Sequence, residues 1–86
     1  MDINELIAIV KKKLESQIII ENIIIEDKSF LHKNHVGNQP NRFHLKIIIK
    51  STELKGHNKV EATKKIYKIL DEEIKKYIHS LQILIN

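Results

Sequence analysis

Two short histidine segments contain the residues with the clearest potential for chemistry. One is the stretch DKSFLHKNH, which begins at Asp27 and holds His32 and His35, and the other is IHSL, which begins at Ile78 and holds His79. Histidine is the commonest protein metal ligand because its neutral imidazole donates a lone pair near physiological pH. The chain has no cysteine, so any thiolate ligand must come from another molecule. The segments therefore predict half of a metal site rather than a complete one.

The other histidines are predicted not to bind metal. His44 lies inside a predicted strand, where a place on the sheet surface is the simpler interpretation, and His57 follows Gly56 in a predicted turn. Asp27 and Ser29 resemble a catalytic pair only superficially, because such side chains commonly bond nearby backbone groups in turns. No nucleophile, base and orienting group occur together, so the sequence predicts no enzyme.

Size and charge limit the class of protein. A chain of 86 residues predicts one domain, over residues 1–86, with a small core. The net charge of +4 favours an anionic partner, although lysine-rich composition produces the same charge without one. The lack of cysteine, of a secretory signal and of a run of about 18 apolar residues predicts an intracellular protein with no membrane partner. The cytoplasm is the favoured compartment, and an organelle matrix stays open.

Hydrophobic periodicity predicts the elements that must position the histidines. In chain order these are a helix over 3–14, a strand over 20–27, an exposed loop over 28–42, a strand over 43–50, a helix capped by Asn58 with Glu61, and a strand over 81–85. The predicted fold class is α+β, a small α-β-β-α-β domain with a three-stranded mixed sheet. The last strand runs parallel to the second, and both helices cover one face of the sheet.

The order and spacing of these segments resemble the BolA-like protein family over nearly the whole chain. The family pattern is roughly Asp-x-Ser-x-x-His-x-x-His, then a Phe that opens a strand, Ser-x-x-Phe-x-Gly, a helix and His-Ala-Leu. The corresponding residues here are Asp27, Ser29, His32, His35, Phe43, Ser51 to Gly56, Tyr67, and His79-Ser80-Leu81. Leu54 replaces the usual Phe, and residues 62–64 replace the family's usual Arg-His-Arg.

This resemblance implies a fold similar to the type II KH domain and a role as partner of monothiol glutaredoxins. The two proteins would share a bridging [2Fe–2S] cluster, with the glutaredoxin cysteine and a glutathione thiolate as further ligands. The family's C-terminal histidine ligand maps onto His79, and the second ligand comes from the loop between the first two strands, where His32 is favoured over His35. No cluster is expected in the isolated chain, which is predicted to be a monomer or a weak homodimer.

Two alternatives stay open. A set of lysines near the second strand and second helix would allow phosphate contacts in a KH-like nucleic-acid-binding regulator. These are Lys50, Lys55, Lys59, Lys64 and Lys65. KH recognition uses a GXXG loop, however, and the sequence after Gly56 lacks the second glycine. The other alternative is a site for zinc or another divalent metal made by His32, His35 and His79.

Overall fold

The chain forms an α+β structure around a small mixed sheet. The computed structural model describes residues 1–29 and 42–86. Its elements are α1 (Ile3–Gln17), β1 (Asn22–Asp27), β2 (Phe43–Lys50), α2 (Thr52–Lys55), α3 (Lys59–Ile69), α4 (Asp71–Lys76) and β3 (Ile78–Ile85). The strand order is β1-β2-β3, with β2 antiparallel to β1 and parallel to β3. The predicted fold class and the parallel last strand are confirmed.

Helix α1 begins where its sequence offers a capping side chain. The Glu5 N–H donates to Asp2 Oδ1 at 2.8 Å, which satisfies one of the free donors of the first turn. Leu6, Val10 and Leu14 are fully buried at helical spacing. The helix ends at Gln17, three residues beyond the predicted end at residue 14. At this end the backbone N–H of the buried residue Ile18 donates to the Leu14 carbonyl.

The predicted second helix is in fact two helices. α3 begins at the predicted cap, where the Glu61 N–H donates to Asn58 Oδ1 at 2.9 Å. The helical geometry breaks at Leu70, whose φ and ψ are −96° and 13°. α4 then starts with the acidic residues Asp71, Glu72 and Glu73, which interact favourably with the positive end of a helix dipole. Leu70 is fully buried, so the break between the two helices lies against the core.

Strand β3 begins at Ile78, three residues before the start that the sequence predicts. The chain leaves α4 at Tyr77, whose carbonyl accepts a hydrogen bond from the Phe43 N–H at 2.8 Å. Pairing with β2 therefore starts at once, and the Ile78 side chain is buried in the core. As a result His79 lies inside the strand and not before it.

Alternation along β2 separates two faces of the sheet. Leu45, Ile47 and Ile49 are buried in one core with residues of the helices, among them Leu6 and Ile66. The intervening positions of the three strands face the other side, which we call the open face. Its apolar residues are the cross-strand neighbours Ile24, Ile48 and Leu84, of which Ile24 and Leu84 are exposed.

An ion pair links α1 to the helix that precedes β3. Lys13 Nζ lies 2.7 Å from Glu73 Oε2, and the Glu73 side chain is buried. The hydrogen bond to Glu73 raises the pKa of Lys13 above its ordinary value, and the nearby charges of Glu73 and Glu72 act in the same direction. This contact links α1 to α4, the helix that leads into β3.

Among residues 1–29 and 42–86, no helix combines the length and apolar character that a membrane crossing requires.

Replacing Ser51 with alanine is expected to lower the free energy of unfolding by about 1–2 kcal/mol. The fully buried Ser51 hydroxyl donates to the Ile19 carbonyl at 2.7 Å and accepts from the Leu54 N–H at 3.1 Å, so the substitution orphans both groups. Urea unfolding followed by circular dichroism measures the loss. Ser16→Ala, which removes an exposed hydroxyl, is the control. Equal stability of the Ser51 and Ser16 variants would contradict the assigned role.

The Lys13–Glu73 pair predicts a stability difference that depends on alkaline pH. Because the folded-state pKa of Lys13 is raised above 10.5, its contribution is fully present below the unfolded pKa and is lost as pH rises through the folded value. Wild type is therefore expected to exceed Lys13→Gln in unfolding free energy at pH 7, with the difference shrinking above about pH 10. Urea titrations between pH 7 and 11 test this, with Lys11→Gln on the same helix as control. A difference that stays constant over this range would refute the prediction.

A candidate metal-ligand site at one end of the sheet

His79 lies exposed at the end of the sheet where β2 and β3 begin. Phe43 pairs with Ile78, but the next pair is His44 with Ser80, so His79 is an extra residue in a bulge. A bulge leaves its extra residue out of the ladder and changes the direction of its side chain. The irregularity therefore presents the His79 imidazole to solvent at this end.

His44 is the immediate neighbour of His79. The centroids of the two imidazole rings are 5.0 Å apart, and their planes are inclined by 54°. His44 Nδ1 lies 2.6 Å from Ser80 Oγ; which atom donates depends on the tautomer of the ring. His44 does lie on the open face of the sheet, as predicted, but it is a buried residue with 5% exposure and not a solvated surface residue. Sequence reasoning missed the contact between His44 and His79 because the bulge that brings the two rings together arises only when β2 and β3 pair.

The described ends of the segment 30–41 both meet this end of the sheet. Ser29 Oγ accepts from the His44 N–H at 3.1 Å, and the Lys28 N–H donates to the His44 carbonyl at 2.7 Å. At the other end, the Arg42 guanidinium donates to the Lys75 carbonyl at 2.8 Å. The predicted ligands His32 and His35 lie outside the described residues, but the chain enters and leaves their segment next to the site.

The predicted turn at the end of β1 is confirmed. The Ser29 N–H donates to Asp27 Oδ1 at 2.9 Å, which is the local hydrogen bond of an Asx turn. Asp27 and Ser29 thus serve the backbone, and Ser29 in addition holds His44. Their contacts fit a structural role at the edge of the site.

His57 is not brought to this site. It is exposed in the turn between α2 and α3, where His57 Nδ1 lies 3.8 Å from Glu61 Oε2. It borders the same depression as Ile85, at the far end of β3 from His79. A strand rises about 3.3 Å per residue, so the six residue steps from His79 to Ile85 correspond to about 20 Å.

The donor set near His79 fits one imidazole contribution to a metal centre. Within the described part of the chain, no three His, Cys, Asp or Glu side chains are grouped closely enough to hold a metal ion. A centre that includes His79 would thus draw other donors from outside these residues. An exposed imidazole at the rim of the sheet is accessible to such a centre on a second molecule.

Two of the predicted nucleic-acid-binding lysines lie beside carboxylates. Lys65 Nζ pairs with Glu53 Oε2 at 3.2 Å. Lys50 lies close to Glu21, and the pKa of Glu21 is lowered mainly by hydrogen bonds from Thr52, with a smaller effect of the Lys50 charge. These lysines are partly neutralised and are poorer candidates for phosphate contacts.

The other three lysines are exposed at the end of α2 and along α3. Lys55 and Lys59 border a depression of about 210 Å³, and Lys64 lies further along α3. Among the described residues, no carboxylate lies within ion-pair distance of Lys55, Lys59 or Lys64. Lys55 and Lys59 thus lie beside Ile85, at the far end of β3 from His79.

Comparison with known proteins agrees with the architecture. The sequence profile of the family described as "BolA-like protein" matches residues 14–86. The chain is 31% identical over 75 residues to the "DNA-binding transcriptional regulator BolA" of Haemophilus influenzae, covering 87% of this chain and 70% of that protein. It is 30% identical over 79 residues to "Protein BOLA1, chloroplastic" of Arabidopsis thaliana, covering 86% of this chain and 48% of that protein. It thus spans about half the length of the plant relative.

A solved structure gives the same result for the fold. The BolA domain of SufE1 from Arabidopsis thaliana superimposes with a TM-score of 0.78 at 26% identity, covering 92% of this chain and 87% of that one. The α+β architecture with its three-stranded mixed sheet accords with this match. The chain belongs to the BolA-like protein family.

Proposed function

We propose that this protein is a non-enzymatic partner of a monothiol glutaredoxin and that the two share a bridging [2Fe–2S] cluster. The role would be cluster trafficking, cluster assembly or iron regulation. The observation that supports it most is the placement of His79. Its exposed imidazole lies at the end of the sheet where both described ends of the segment 30–41 are held.

Chain length allows the second ligand to come from that segment. His32 follows Ser29 by three residues, which span at most about 11 Å. His35 follows by six residues and has a longer reach. Because Ser29 is bonded to His44, the neighbour of His79, both loop histidines start from the site itself. Chain length is thus compatible with either histidine as the second ligand, and the preference for His32 over His35 rests on the family resemblance.

The ligand types of this chain explain why a partner is required. A [2Fe–2S] centre with histidine in place of thiolate on one iron has a raised reduction potential. This chain has no cysteine and supplies imidazole only, so the thiolates would come from the glutaredoxin and glutathione. The net charge of +4 also favours an acidic face of the partner or the glutathione carboxylates.

His79→Ala is expected to weaken cluster retention by more than about tenfold, because even changes beyond the direct ligands of a metal commonly cost 10–100-fold. The experiment combines this protein with the monothiol glutaredoxin of its own organism and glutathione, and follows visible absorbance and circular dichroism. His57→Ala, an exposed histidine at the other end of the sheet, is the matched control. His32→Ala is expected to have a larger effect than His35→Ala. An unchanged cluster spectrum and lifetime in His79→Ala would remove His79 as a ligand.

A second candidate function is nucleic-acid binding. Lys55 and Lys59 are exposed, lack an ion-pair partner among the described residues and border one depression. The Haemophilus influenzae relative is described as a DNA-binding transcriptional regulator, which favours this candidate. Against it, the turn contains Gly56 but lacks the second glycine of a GXXG loop. We rank it below the cluster-sharing role.

Replacing Lys55 and Lys59 together with glutamine is expected to weaken DNA binding uniformly across sequences. The slope of log K against log salt should fall by about two, one for each lost phosphate contact. Fluorescence anisotropy with a mixed-sequence duplex at several salt concentrations measures this. The exposed α1 residues Lys11 and Lys12, changed to glutamine together, provide a control with the same change in charge. An equal loss in the control would assign the binding to net charge and reject the proposed surface.

A further inference from the structure

We propose that Ser80 and His44 form a positioning pair that holds the His79 imidazole in one orientation. The pair acts on His79 through the contact between the two histidine rings. The value of this arrangement for cluster ligation rests on the proposed function, but the restraint is a property of the free chain and is testable there.

His79 needs such a restraint because of its position. Its side chain is exposed on a bulge, where the strand ladder does not fix its direction. Among the described residues, no side chain hydrogen-bonds to the His79 ring, and its ring contact is with His44. The second torsion of a histidine side chain is broad, so an unrestrained ring samples many directions. A ligand that is already ordered loses less conformational entropy when it binds.

His44 is rigid enough to provide the restraint. It is 5% exposed, and its backbone is bonded on both sides, to the Ser29 hydroxyl and the Lys28 N–H. Its Nδ1 lies 2.6 Å from Ser80 Oγ, so rotation of the ring would break a short hydrogen bond. The His44 ring therefore has a fixed plane against which His79 packs.

Ser80 is the member of the pair that departs from the family pattern given above. The family pattern has alanine after the C-terminal histidine, and alanine cannot hydrogen-bond to His44. Ser80 lies directly opposite His44 in the register of β2 and β3, which places its hydroxyl within reach of the ring. Ser80 is exposed, so its replacement by the family residue is expected to leave the fold intact.

The first test uses the free chain, labelled with ¹³C and ¹⁵N, in metal-free buffer. NMR scalar couplings and side-chain relaxation report the rotamer populations of His79. We expect one dominant rotamer in wild type and in Ser80→Thr, which keeps the hydroxyl, and averaging in Ser80→Ala and His44→Ala. Gln82→Ala, the next open-face position of β3, is the control. If the buried His44→Ala variant does not fold, the two exposed Ser80 variants still decide the result.

A rigid His79 in Ser80→Ala, or a freely averaging His79 in wild type, would overturn the proposal. A loss of unfolding free energy in Ser80→Ala with unchanged His79 rotamers would also overturn it, because the hydrogen bond would then only stabilise the junction of β2 and β3. Recovery of the single rotamer by Ser80→Thr supports a role for the hydroxyl itself.

The second test uses the complex with monothiol glutaredoxin and glutathione. Ser80→Ala is expected to alter the visible circular dichroism of the cluster and to shorten its lifetime up to about tenfold, with Ser80→Thr close to wild type. If the cluster depends on His79 but its spectrum and lifetime do not change in Ser80→Ala, the positioning role is rejected and the proposed function is retained. If no cluster forms in any variant, the proposed function fails, and the NMR measurement alone decides the positioning pair.

Discussion

The parallel pairing of β2 with β3 is the constraint on which the rest of this structure depends. Parallel neighbours begin at the same end of a sheet, and antiparallel β1 finishes there, so three distant parts of the chain converge. The pairing starts at the hydrogen bond from the Phe43 N–H to the Tyr77 carbonyl. The alternating core residues of β2 fix its register, since a slip of one residue would expose them. The candidate site is a consequence of this pairing.

The start of the pairing between β2 and β3 depends on the position of α4, the helix that precedes β3. The Lys13–Glu73 ion pair joins α4 to α1, and the Arg42 guanidinium bonds the Lys75 carbonyl at the C-terminal turn of α4. Arg42 directly precedes β2, so one contact restrains the entries to both strands. The position of His79 thus depends on contacts of α4 that lie outside the candidate metal site. Through α4, contacts that stabilise the fold also affect the geometry of the candidate ligand.

The two candidate functions use opposite ends of the molecule. The His79 imidazole lies where β3 begins, whereas Lys55 and Lys59 border the end of the same strand, about 20 Å away. Substitutions at the His79 end can therefore be tested without altering the lysine surface, and the reverse also holds. The separation also means that cluster sharing and nucleic-acid contact need not exclude each other sterically.

The sequence by itself determined the order of the three strands, the starts of α1 and α3, the whole of β2 and the capping residue Asn58, because periodicity and caps are local properties of a segment. It also singled out His79. Only the tertiary structure decided that β3 begins at Ile78 and that His44 and Ser80 face each other across a bulge. Those features depend on how two strands distant in sequence align, and core packing sets that alignment. A single segment does not encode the register of its partner, so the neighbour of His79 could not be predicted.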